Sequence, residues 1–113
     1  MKKLLLILTI LVILLLYGCG SSNPIVVDDF AKCLTENNVE LYGSKSCPHC
    51  QEQKALFSES FKFLDYTECS INQQKCAEEE IQYLPTWKFE DGTVTTGVKS
   101  FAYLAEKTGC VLQ

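Results

Sequence analysis

Cys47-Pro48-His49-Cys50 dictates more of the local structure than any other stretch of this chain. It follows Val39, Leu41 and Tyr42, which read as a strand, and the loop Gly43-Ser44-Lys45-Ser46. Proline at the first helical position gives up no intrahelical hydrogen bond, so a helix opens at Cys47-Pro48 and runs to about Ser58. Both thiols therefore sit at a helix start, one turn apart. The Cys47 sulfur lies beside backbone N–H groups that have no partner in the helix, and those donors, with the positive end of the dipole, stabilise a thiolate. Cys50 can attack a mixed disulfide formed on Cys47, which makes an attacking and a resolving thiol. His49 can add positive charge or a hydrogen bond and lower the Cys47 pKa further. A lower pKa makes Cys47 a better leaving group and its disulfide more oxidising.

Around this motif the chain alternates between helix and strand signals. Asp28 or Asp29 starts a helix that runs to about Asn37, with Phe30, Ala31, Cys33 and Leu34 as its apolar positions. Phe63 to Glu68 alternates as a strand, Asn72 to Ile81 holds a helical turn or two, and Thr86 to Phe89 is a strand. Asp91-Gly92 reads as a type I′ turn to a partner strand at Thr93 to Thr96, and Phe101 to Lys107 is a last helix stopped by Gly109. A strand-helix-strand half followed by a hairpin and a closing helix predicts a small α/β sandwich. Phe57, Phe61, Phe63, Tyr66, Trp87, Phe89 and Phe101 are expected to line its core and groove, and Glu78 to Glu80 to form a solvated helix face.

At 113 residues the chain is one small domain, marginal on apolar burial alone. Its formal charge of −4 and lack of arginine argue against a nucleic-acid surface. Lys2 and Lys3 precede Leu4 to Leu16, aliphatic throughout except for Thr9, which reads as a signal peptide or membrane anchor over residues 1–18. The run is shorter than the roughly 20 residues of a permanent span. Leu16-Tyr17-Gly18-Cys19 resembles a bacterial lipobox, which makes Cys19 a lipidation site; an uncleaved anchor with an unmodified Cys19 is the alternative. Residues 19–27, with Ser21-Ser22-Asn23-Pro24, are then a tether, and 28–113 the folded domain, placed outside the cytoplasm, in a periplasm or at a cell surface, where disulfides persist.

The seven cysteines admit other readings. Cys47, Cys50, Cys69 and Cys76 could hold zinc, although the second pair lacks the usual spacing and the compartment is oxidising. Haem attachment fails because Gln51, not histidine, follows Cys50. A purely structural Cys47–Cys50 bridge would close no useful loop. A metal-handling lipoprotein using the same thiols remains the alternative from a different class.

Leu41-Tyr42-Gly43, Cys47-Pro48-His49-Cys50, Gln53-Lys54, Leu56-Phe57, Tyr66 to Cys69, Cys76, Ile81, Leu84-Pro85-Thr86-Trp87 and Gly92 together resemble the thioredoxin superfamily. More closely, they are similar to the thioredoxin-like domain associated with vitamin K epoxide reductase homologues, and Phe30 to Leu34 fits that domain's opening helix. The resemblance implies a three-layer sandwich with a central mixed four-stranded sheet and an extra N-terminal helix. It implies thiol-disulfide exchange through Cys47 and Cys50 without a cofactor, in the oxidising direction, on thiol-containing secreted proteins. A quinone-linked membrane protein like vitamin K epoxide reductase would be the re-oxidant; a reductase or isomerase is the alternative. It also implies a cis Leu84-Pro85 bond, with Leu84 and Pro85 forming a substrate groove.

By the same resemblance Cys69 and Cys76 form a structural disulfide, or alternatively a second redox pair. Cys33 and Cys110 lie on the first and last helices, which in a thioredoxin sandwich tend to cover opposite faces, so both a bridge and two inert buried thiols stay open. This chain departs from many relatives in having Ser46 before the motif, where they carry an aromatic residue. It also has apolar Leu41 where they carry a buried carboxylate, which leaves the proton-transfer group unassigned.

Overall fold

The structure, a computed structural model, describes residues 1–16, 18 and 27–112. Helix α1 spans Lys2–Leu16. The folded part contains α2 (Asp28–Glu36), β1 (Glu40–Gly43), α3 (Pro48–Phe57), a 3-10 segment (Ser58–Phe63), β2 (Asp65–Glu68), α4 (Gln73–Glu78), β3 (Thr86–Lys88), β4 (Val94–Thr96) and α5 (Phe101–Thr108). Among the described residues no helix is long and apolar enough to cross a membrane. Cys19 and the rest of the expected tether before Val27 lie outside the described residues. Val27 itself is buried in the core.

The sheet has the order β2-β1-β3-β4, with β1 parallel to β2 and the other pairs antiparallel. A parallel pair needs a crossover, and α3 with the 3-10 segment provides it. Register places Leu41 beside both Tyr66 and Trp87, so these three share one face. On that face Phe30 of α2, Phe57 of α3 and Phe101 of α5 close around one another, with ring centroids 5.0–6.5 Å apart, and Phe57 also meets Trp87. The opposite face carries Tyr42, Thr67 and Thr86 beneath α4, whose Lys75 lies over the Tyr42 ring and bonds the Thr67 hydroxyl. Lys88 and Glu79 pair on that side. Three helices, sheet and short helix make the three layers of a thioredoxin-like α/β fold.

Three expectations need correction. Helices α2 and α5 share a face, and Cys33 is bonded to Cys110. Phe30 and Phe101 meet edge to face at 5.6 Å, and this packing brings Cys33, near the end of α2, against Cys110, two residues beyond α5. The second strand begins at Asp65 rather than Phe63, because the chain leaves α3 through a left-handed Ser58 (φ 49°) and turns as a 3-10 segment. There the Ser60 hydroxyl donates to Asp28 and accepts the Val27 N–H, binding this segment to the start of α2. The hairpin is not type I′, since of Asp91 and Gly92 only Gly92 has positive φ (83°). Gly92 N–H donates to Phe89 and Phe89 N–H to Thr93, a type I turn followed by a left-handed glycine bulge.

Cys69 and Cys76 are joined at the entry to α4. The two bridges close very different loops, with sequence separations of 77 and 7. On chain-entropy grounds, Cys33→Ser with Cys110→Ser should cost about 4.5 kcal/mol and Cys69→Ser with Cys76→Ser about 2.5. Denaturant unfolding of the two double variants checks this order; equal losses would contradict it.

Candidate active site

Loop 44–47 turns tightly after β1, with the Cys47 N–H donating to the Ser44 carbonyl at 3.1 Å. Cys47 is the N-cap of α3 and Pro48 occupies the first turn, as the proline preference requires. The Cys47 sulfur replaces the usual capping oxygen and accepts the Cys50 backbone N–H at 3.3 Å. That N–H is one of the helix-start donors without an intrahelical partner, and it favours negative charge on sulfur. On the other side the Cys47 Sγ lies 3.7 Å from the Leu84 carbonyl oxygen, to which the thiol donates. The Leu84-Pro85 bond is cis, and Pro85 is buried at the head of β3. The fold thus brings together Cys47, Cys50, Leu84 and Pro85 from two separate elements.

The two thiols differ in exposure. Cys47 is half-buried, whereas Cys50 is 4% exposed. Burial first, and then its hydrogen bond with Cys47, pushes the Cys50 thiol from its usual 9.0 up to about 12; a Ser44 backbone hydrogen bond works against the rise, and the negative charge of Glu68 adds to it. The outer sulfur is built to meet a partner and the inner one to wait as a thiol.

His49 turns outward, 74% exposed, and its Nδ1 lies 3.2 Å from the Glu52 carboxylate. Its ring bonds that carboxylate rather than either sulfur. Cys69 and Cys76 are bonded to each other, so a four-thiol zinc site would require that bridge to open. Among the described residues, no cluster of three or more His, Cys, Asp or Glu side chains could hold a metal.

The sequence reading gave three residues no role beside the thiols. Gln53 is fully buried; its Oε1 accepts the Trp87 Nε1–H at 3.1 Å and the Lys99 N–H, and its Nε2 donates to the Lys99 carbonyl. Tyr66 and Glu68 stand on β2 beside Gly43 and Cys50. A strand period of two puts Tyr66 and Glu68 on one face, but which residues of β1 they meet is a matter of register.

No protein-family model matches the chain. It is 38% identical over 99 residues to a protein of Arabidopsis thaliana named thiol-disulfide oxidoreductase LTO1, a match covering 80% of this chain and 26% of the relative. The chain thus spans about a quarter of the length of that curated relative.

Two outcomes follow from the geometry. Gln53→Leu leaves the buried Trp87 N–H and the Lys99 backbone without their partner, and should cost about 2–3 kcal/mol in denaturant unfolding; a change under about 0.5 would show that the amide holds nothing. The Cys50 thiol is raised in the folded state above its unfolded value, so its stabilising contribution is complete below about pH 9 and is lost as pH rises towards about 12. Oxidised protein has no such thiol. The stability of reduced protein relative to oxidised should therefore fall across that window, read by unfolding at a series of pH values; a pH-independent difference would contradict the placement of Cys50.

Proposed function

We propose that this chain is an extracytoplasmic thiol-disulfide oxidoreductase. The observation that carries the reading is the pairing of a half-exposed Cys47 sulfur, held by a helix-start N–H, with a buried, protonated Cys50 one turn behind it. The name borne by the Arabidopsis relative supports the same chemistry.

In the oxidising direction, a substrate thiolate attacks Cys47 of the Cys47–Cys50 disulfide. The new bond joins substrate sulfur to Cys47, and Cys50 leaves with the electron pair and takes up a proton. A second substrate thiolate then attacks the substrate sulfur, forming the substrate's disulfide and releasing Cys47 as a thiolate. The substrate is oxidised by two electrons and the pair is reduced by two. Re-oxidation reverses the roles: Cys47 attacks a disulfide of the membrane partner and Cys50 resolves the mixed species. We assign that partner to the quinone-linked, vitamin K epoxide reductase-like class.

Leu84 and Pro85 border the groove in which an extended substrate segment lies against Cys47. The Leu84 carbonyl, already within reach of that sulfur, marks the groove's inner edge. His49 shares a helical turn with Cys47 but turns to Glu52, so it tunes the Cys47 sulfur through space rather than by a direct bond. Residues 1–18 supply the signal or anchor, and Cys19 the lipid that would hold the domain at the membrane.

Cys50→Ala should trap substrates covalently on Cys47 in the native host. An absence of mixed disulfides would sink the exchange mechanism. The Cys47–Cys50 potential should lie well above the roughly −270 mV of thioredoxin, and a value at or below that would assign the chain to the reducing direction instead.

A further inference from the structure

A buried thiol with a raised pKa cannot attack until its proton has somewhere to go. Cys50 is such a thiol, and resolution by it needs an acceptor within reach. The groups around it come from two elements. Cys47 adjoins it at the start of α3, and Tyr66 and Glu68 approach from β2. Lys54, further along α3, places its Nζ 5.3 Å over the Tyr66 ring.

The approach of Tyr66 depends on a glycine. A Cβ built on Gly43, the last residue of β1, would stand 3.0 Å from the Tyr66 hydroxyl oxygen and 3.3 Å from the Cys50 Sγ. The two polar atoms therefore converge on the one place where β1 has no side chain. The Tyr66 hydroxyl donates to Glu68 Oε2 at 3.2 Å, which leaves the hydroxyl oxygen's lone pairs for another donor. Glu68 is pinned from its other oxygen by the Lys45 N–H and is half-buried, so it has a side open to solvent.

The geometry points to Tyr66 and Glu68 as the route by which the Cys50 thiol exchanges its proton with solvent, an assignment that rests on the disulfide-exchange reading above. In resolution, the Cys50 S–H bond breaks and its proton passes to the Tyr66 oxygen as the Tyr66 proton passes to the Glu68 carboxylate. The Cys50 sulfur forms a bond to Cys47, and the partner sulfur leaves Cys47 with the electron pair. Glu68 then loses its proton to water. When the Cys47–Cys50 disulfide opens, the same route runs backwards and returns a proton to Cys50. The negative charge of Glu68 helps keep Cys50 protonated at rest; protonating Glu68 removes that charge at the moment the thiolate is needed.

Dithiobis-nitrobenzoate separates the two thiols. Reduced full-length protein should release one coloured thiolate as Cys47 attacks and a second as Cys50 resolves, and Cys50→Ala should lose the second phase. Tyr66→Phe and Glu68→Gln, which keep shape and packing, should each slow the second phase about tenfold or more at neutral pH and leave the first unchanged. In both variants the second-phase rate should rise in proportion to hydroxide across the neutral range, where the parent protein is flatter. Combining the two should slow it no further than the larger single effect, because they act in one chain. An unaltered second phase and pH profile would overturn the relay, as would equal slowing of both phases. If the parent protein shows no second phase, the disulfide-exchange reading itself fails.

Discussion

The buried side-chain amide of Gln53 holds the site together. With no exposure to water, an unpaired amide would cost far more than a hydrogen bond returns, so its position is stable only where every polar end is met. Trp87 and the Lys99 backbone meet them. Those partners belong to β3 and to the segment before α5, while Gln53 belongs to α3. Since α3 carries the two thiols at its head and β3 begins directly after Leu84-Pro85, the amide ties the helix that bears Cys47 to the strand that follows Leu84. The aromatic cluster of Phe30, Phe57 and Phe101 supplies burial around it, but apolar packing has no direction and could not supply that tie alone.

The chemistry then follows from unequal surroundings for equal groups. Cys47 and Cys50 differ by one helical turn, yet the first ends a loop and takes a backbone N–H, and the second is driven inward. Helix geometry alone accounts for the first difference, because donors at a helix start are always without intrahelical partners. The second difference needs the sheet: Cys50 is buried because α3 packs on the Leu41-Tyr66-Trp87 face, and Gly43 provides the room.

How much of this was legible in the sequence varies by element. The strand-loop-helix around Cys47-Pro48-His49-Cys50 was readable because each residue acts locally: proline at the helix start, polar loop before it, apolar strand before that. The hairpin's existence was readable and its turn type was not, since Asp-Gly serves both a type I′ turn and a type I turn with a bulge, and the choice depends on how the strands pair. Phe63 looked like strand because it is aromatic, but Ser60 bonding to Asp28 and Val27 keeps that stretch turning. Such a contact between residues far apart in the chain leaves no local trace.

The sequence by itself determined the order of elements and the pair of thiols at a helix N-terminus, because propensity, capping and hydrophobic period act over a few residues, while the thioredoxin-like plan came from the resemblance of its motifs. Only the tertiary structure decided that Cys33 meets Cys110, that the outer helices share a face, that His49 turns to Glu52, and that Tyr66 and Glu68 stand beside the inner thiol. Each of these depends on register or on packing between distant segments. A one-residue slip of β2 against β1 would carry Tyr66 and Glu68 to the opposite face, yet would leave every local signal in the sequence unchanged.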